Sequence, residues 1–168
     1  MNQEPALNVI KAIDLAYELD VENKSRKYIG ASGVGNACDA NLAFCLRGFP
    51  NTEPPSNLKR IFKMGHVIEE IVVADLKKAK NVVVHEIDSA TGKQFSYSEL
   101  GGHISCHTDG KIEVDGISYV LEIKSMNHAS FQKFVAKSIK ISHHHYYCQV
   151  QMYMAFSKIK QSFFIAYN

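Results

Sequence analysis

Apolar positions along the chain change their period several times, and each change marks an element. Residues 6–19 carry apolar side chains at helical spacing and predict an amphipathic helix. Residues 25–35 follow as a loop punctuated by Gly30, Gly33 and Gly35. A short helix is predicted from Asn36 as its cap to Arg47, stopped by Gly48-Phe49-Pro50, and Pro54-Pro55-Ser56 marks a second loop. A long helix should then span 57–80. The pattern next turns strand-like at 82–87, 94–97 and 102–106. Asp115-Gly116 is a two-residue turn signal between 111–114 and 117–120, which predicts a β-hairpin. Helical spacing returns at 129–140 and 144–158, and 162–167 reads as a last strand. Helix, strands, helices and strand in that order predict an α/β or α+β core, with a central mixed β-sheet flanked by helices.

The hairpin carries the strongest chemistry. If Val114 pairs with Ile117, an unbroken antiparallel ladder sets Asp109 opposite Glu122. Alternate strand residues share a face, so Glu122 and Lys124 project together while Ile123 turns into apolar packing. Two carboxylates and an ammonium at one sheet edge suit a divalent ion: Mg²⁺ and Mn²⁺ favour carboxylates and substrate phosphate. The lysine is placed to orient an attacking water or to stabilise developing negative charge. The plainer alternative is a surface strand with solvated Asp, Glu and Lys.

Helical geometry ranks the candidates in the long helix. Leu58, Ile61, Ile68, Val72 and Leu76 should form one buried arc; Glu69 lies roughly 60° from its centre and Glu70 about 160° away. Glu69 should therefore border the core and Glu70 face water. His66, one turn before Glu69, is near enough to share its site. Lys59-Arg60-Ile61-Phe62-Lys63 forms a basic stripe that could follow a phosphate backbone, or simply be a solvated helical face. In the late helix, Gln149 and Tyr153 are four residues apart and share a face, from which amide and hydroxyl could orient phosphate or metal-bound water; a half-buried, hydrogen-bonded glutamine is the simpler reading.

Composition narrows the picture without deciding it. A chain of 168 residues, 46% hydrophobic, is large enough for a sizeable core. No signal-peptide pattern and no long apolar span is present, so the expected setting is the cytoplasm and no membrane partner is expected. Asn168 directly follows the last strand signal, where such a sheet usually continues, so a compact or shortened form is expected. A net charge of +2 and a pI near 8.3 neither require nor exclude nucleic acid. Cys38, Cys45, Cys106 and Cys148 form no CxxC pair, which argues against a zinc ribbon and suggests free thiols. His143-His144-His145 with Cys148 lacks a second ligand pair for zinc, and no iron-sulfur cluster is expected from the scattered cysteines.

Taken together, the motifs resemble the PD-(D/E)xK nuclease superfamily, in its RecB-like and lambda-exonuclease-like branch of phage-type recombination exonucleases. Gly65-x-x-x-Glu69 is similar to the first acidic motif, Asp109-Gly110 and Glu122-Ile123-Lys124 to the core motifs, and Gln149-x-x-x-Tyr153 to the QxxxY motif. All four stand in family order. The resemblance implies a restriction-endonuclease-like fold and a single nuclease domain over 1–168, with 1–57 as a helical, substrate-binding part and 58–168 as the catalytic core. It implies a Mg²⁺- or Mn²⁺-dependent deoxyribonuclease using one or two ions. Asp109, Glu122, Glu69 and His66 would hold metal, together with the Ile123 carbonyl. Lys124 would act on water, and Gln149 and Tyr153 on substrate. Ile29-Gly30-Ala31-Ser32 with Cys38 is similar to the branch's N-terminal signature, in which a serine and an arginine meet phosphate. Ala40 stands where some relatives carry that arginine, and Arg47 is the nearest substitute; the helix start at Asn36 could also take a phosphate. DNA is the implied partner, with a single-strand annealing or other recombination protein as a second, in the host cytoplasm if the chain is phage-encoded. A structure-selective or nicking endonuclease shares the same core, and a non-catalytic DNA- or protein-binding module shares the fold.

Overall fold

The computed structural model describes residues 4–21 and 25–168; residues 1–3 and 22–24 of the expected N-terminal part lie outside them. In chain order the elements are α1 (Glu4–Leu19), β1 (Ile29–Gly30), a 3-10 turn (Ala31–Gly33), α2 (Asp39–Leu46) and α3 (Ser56–Leu76). Then come β2 (Val82–His85), β3 (Ile87–Asp88), β4 (Lys93–Gln94), β5 (Ser96–Glu99), a 3-10 turn (Leu100–Gly102) and β6 (Ile104–His107). The chain continues through β7 (Gly110–Val114), β8 (Ile117–Ser125), α4 (His128–Ala136), α5 (Ile139–Ser142), α6 (His144–Ser157) and β9 (Ser162–Tyr167).

The main sheet has the order β2-β7-β8-β9 and is mixed: the first two pairs are antiparallel, and β8 and β9 run parallel. Asp115 and Gly116 both take positive φ, 50° and 79°, as a twist-matched two-residue hairpin requires. The register runs from Val114 opposite Ile117 to Gly110 opposite Leu121, as the turn predicted. A parallel pair needs a long crossover, which α4, α5 and α6 supply.

β8 is covered on both faces. Leu121 and Ile123 pack with Ile112 against Val72 and Val73 of α3. Val120 faces the other way, toward Ala31, Cys106 and Tyr153 of α6. Fully burying each such aliphatic side chain stabilises the fold by about 1.5–3 kcal/mol, so β8 is the axis of the core. A three-stranded sheet of order β1-β6-β5 lies on the α6 side, and β3 pairs with β4 separately.

Several elements depart from the local pattern. The expected strand over 82–87 splits at Glu86, because Ile87 pairs with Gln94 in another sheet. The expected helix over 129–140 breaks at Lys137, which is extended (φ −140°, ψ 147°). Asn36 does not cap α2; Cys38 does, and Asn36 Oδ1 accepts from the Cys38 amide at 2.9 Å. The glycine loop contains β1, whose Ile29 lies opposite Ile104, and a Cβ on Gly35 would stand 2.6 Å from His145 Cα. Ile61 is 59% exposed rather than buried, because the N-terminal part of α3 meets α1 instead of the main core. The basic stripe is partly consumed there: Arg60 pairs with Asp14, while Lys59 pairs with Glu53 and donates to the Tyr17 carbonyl at 3.0 Å.

Candidate active site

Asp109 sits one residue before β7, where the backbone bends at Gly110. A Cβ there would lie 2.8 Å from the His85 carbonyl oxygen, so the neighbouring strand leaves room only for glycine. The bend lets Asp109 Oδ2 accept from the Ile123 amide at 2.7 Å, tying it to β8 beside Glu122. On β8 the side chains alternate: Ile123 enters the apolar core, while Glu122 and Lys124 turn to the opposite face.

Glu122 is fully buried and yet ionically engaged. Its Oε1 accepts from Lys124 Nζ and, at 2.7 Å, from Gln149 Nε2. Its Oε2 is buried with no partner among the described atoms. Burial pushes the Glu122 carboxyl up to about 7 against the pull of the Lys124 ammonium, and the nearby Asp109 adds to the rise. Asp109 is also raised by burial, opposed by Lys124 and the Ile123 amide. For Lys124, burial disfavours the charge, but Glu122 and Asp109 outweigh it and hold the ammonium protonated.

Glu69 reaches this group from α3. It is half-buried, and burial together with the Asp109 carboxylate raises its pKa. His66 stands at the rim, 80% exposed at its side chain, with Nδ1 3.9 Å from Glu69 Oε2. Gln149 and Tyr153 are buried and face inward: the Gln149 amide donates to Tyr153 Oη at 2.6 Å as well as to Glu122. Burial and the Glu122 charge raise the Tyr153 phenol and keep it protonated. Their contacts here orient the carboxylate and leave no face open to solvent.

Ser32 is exposed on the turn at Ala31–Gly33, which packs on α6. Arg47, also exposed, is the C-cap residue of α2. Among the described residues neither is bonded to the acidic group. Tyr146 was not anticipated. Its ring centroid lies 5.8 Å from Lys124 Nζ, and it packs on Phe164 of β9 at 5.7 Å. The signal was present, since Tyr146 precedes Gln149 by three residues and shares its helical face. His143 is buried with its ring nitrogens 3.0 Å from the hydroxyls of Ser130 and Ser142.

Three carboxylates raised by burial, Glu69 and Glu122 also by a neighbouring carboxylate, with one buried oxygen unpartnered, fit a cation. They form an open set rather than a closed cage: no three His, Cys, Asp or Glu among the described residues make a ready metal cluster. One oxygen of Asp109 and one of Glu122 are engaged by protein donors, and the Ile123 carbonyl lies 3.3 Å from Lys124 Nζ.

An Asp at the head of one strand beside Glu-x-Lys on the next, in a mixed sheet backed by helices, defines a core of the PD-(D/E)xK class. Within that class the chain belongs to the family of YqaJ-like viral recombinase domains, which matches residues 22–160 and so takes in all four motifs. The family is of the phage-type recombination nucleases. No curated protein matches the chain. No helix among the described residues is long and apolar enough to cross a membrane.

Proposed function

We propose that the chain is a Mg²⁺- or Mn²⁺-dependent deoxyribonuclease that hydrolyses phosphodiester bonds as an exonuclease in DNA recombination, repair or phage DNA processing. The observation that carries this reading is the convergence of Asp109, Glu122 and Lys124 on β8, with Glu122 Oε2 buried and without a protein partner. Asp109, Glu122 and Glu69 would hold the ion, with the Ile123 carbonyl at hand and His66 at the rim. When bound, the ion supplies Lewis acidity toward phosphate and lowers the pKa of water.

The protein's own contribution is positional and electrostatic. Lys124, protonated between two acids, presents a fixed positive charge to an attacking water or a phosphate oxygen. Gln149 fixes the Glu122 carboxylate and is itself bonded to Tyr153, so the QxxxY pair supports the ligand. Ser32 and Arg47 remain candidate phosphate contacts from the N-terminal part.

The test is digestion of end-labelled linear DNA beside a covalently closed circle, with Mg²⁺, Mn²⁺ or EDTA, comparing wild type with Lys124→Ala and Asp109→Ala. Metal-dependent loss of the linear DNA alone, abolished in both variants, is expected. Cutting of the circle would replace the exonuclease by an endonuclease. Metal-dependent cleavage retained by the variants would overturn the site.

A further inference from the structure

Charge is divided unevenly along the chain. Residues 123–168 contain six lysines and no Asp or Glu, so the net +2 is the balance of +6 here against −4 in the preceding 122 residues. This cationic segment is the crossover from β8 to β9, which leaves the site just after Lys124 and returns to it through Tyr146 and Gln149 on α6.

Three of its lysines surround the break between α4 and α5. Lys133 lies in the last turn of α4, Lys137 is its C-cap, and Lys140 lies in α5. All three are exposed, and none has a carboxylate partner among the described residues. Some lysines elsewhere are compensated, Lys59 by Glu53, Lys77 by Glu86 and Lys78 by Asp75, but in 123–168 no Asp or Glu is present to do so. Like charges left together without counter-charge repel, and an anionic partner relieves that repulsion.

The patch is joined to the site by packing. Ser130 of α4 bonds the buried His143, whose ring stacks on Tyr146 at 5.7 Å, and Tyr146 faces Lys124. Lys140 lies over the Tyr147 ring at 5.7 Å, which fixes α5 against α6. Exposed cations spread along a helix break suit a polyanion better than a small anion.

We propose that the α4–α5 break, through Lys133, Lys137 and Lys140, is the track for the phosphate backbone of the DNA whose scissile bond lies at Asp109, Glu122 and Lys124. This assignment rests on the nuclease reading above.

Binding of a short fluorescein-labelled duplex, followed by anisotropy in EDTA over a salt series, tests it. Each lost phosphate contact removes about 0.9 from the slope of log K against log salt, so the K133Q/K137Q/K140Q triple should lose about 2–3. The charge-preserving K133R/K137R/K140R triple should keep the wild-type slope, as should K77Q/K78Q/K80Q in the turn between α3 and β2. With Mg²⁺ or Mn²⁺, the glutamine triple should raise KM for DNA and leave kcat near wild type. A wild-type protein that cleaves DNA while the glutamine triple keeps the full slope would overturn the track alone. A wild-type protein that neither binds nor cleaves DNA would remove the nuclease reading, and the track with it.

Discussion

Replacing Glu122 by Gln removes one ionisation from the interior while keeping a side-chain oxygen that can accept from Gln149 and Lys124. In the folded protein this carboxyl is raised from about 4.5 to about 7, mainly by burial. Between those values the folded state holds a proton that the unfolded chain has released. The stability this provides is therefore complete below the unfolded value and is lost as pH rises through the folded one. A shift of this size corresponds to about 3 kcal/mol, or about 6–12 °C in Tm for a chain of this length. The assay is thermal unfolding of wild type and Glu122→Gln in EDTA across pH. The variant should gain on wild type by that amount between about pH 4.5 and about pH 8, the window that the raised carboxyl defines. The variant also removes the partner that holds the Lys124 charge, an offset that does not change with pH in this window, so the slope of the difference with pH is what reports Glu122. A difference that is flat with pH, or that falls as pH rises, would refute the reasoning. Saturating Mg²⁺ or Mn²⁺ should then stabilise wild type above the variant, because a ligand of the folded state adds stability by mass action.

Gly110→Ala forces a Cβ against the His85 carbonyl at a positive φ, and should cost about 2 kcal/mol or more in urea denaturation; an unchanged midpoint would show that the strand can yield. Gln149→Leu removes a donor from the Glu122 carboxylate and should lower metal-dependent cleavage about 10- to 100-fold with the fold retained. Wild-type activity and metal affinity in that variant would assign Gln149 to packing alone.

Much of the site was legible because its signals are local. Asp115-Gly116 specifies a hairpin turn, the turn sets the register, and the register with period-two alternation brings Asp109 beside Glu122 and Lys124. Helical angles likewise separated Glu69, half-buried and coupled to Asp109, from the exposed Glu70. The same angles failed at Ile61, because a helical arc states which residues share a face but not how far the sheet beneath them extends. Gln149 and Tyr153 were recognised as a pair on one face, yet their partner was not: they turn inward to Glu122.

What the sequence determined alone was therefore the chemistry and its spacing along each element: the carboxylates, the lysine, the turn and the helical faces. The tertiary structure decided which groups lose water and which distant side chains meet. Pairing of Ile87 with Gln94 ends one expected strand, and an extended Lys137 ends one expected helix. Burial of Glu122 between β8 and α6 raises its carboxyl, and Tyr146 supplies the wall beside Lys124. Periodicity and turn conformation depend on neighbours a few residues away, whereas desolvation depends on atoms brought together from across the chain.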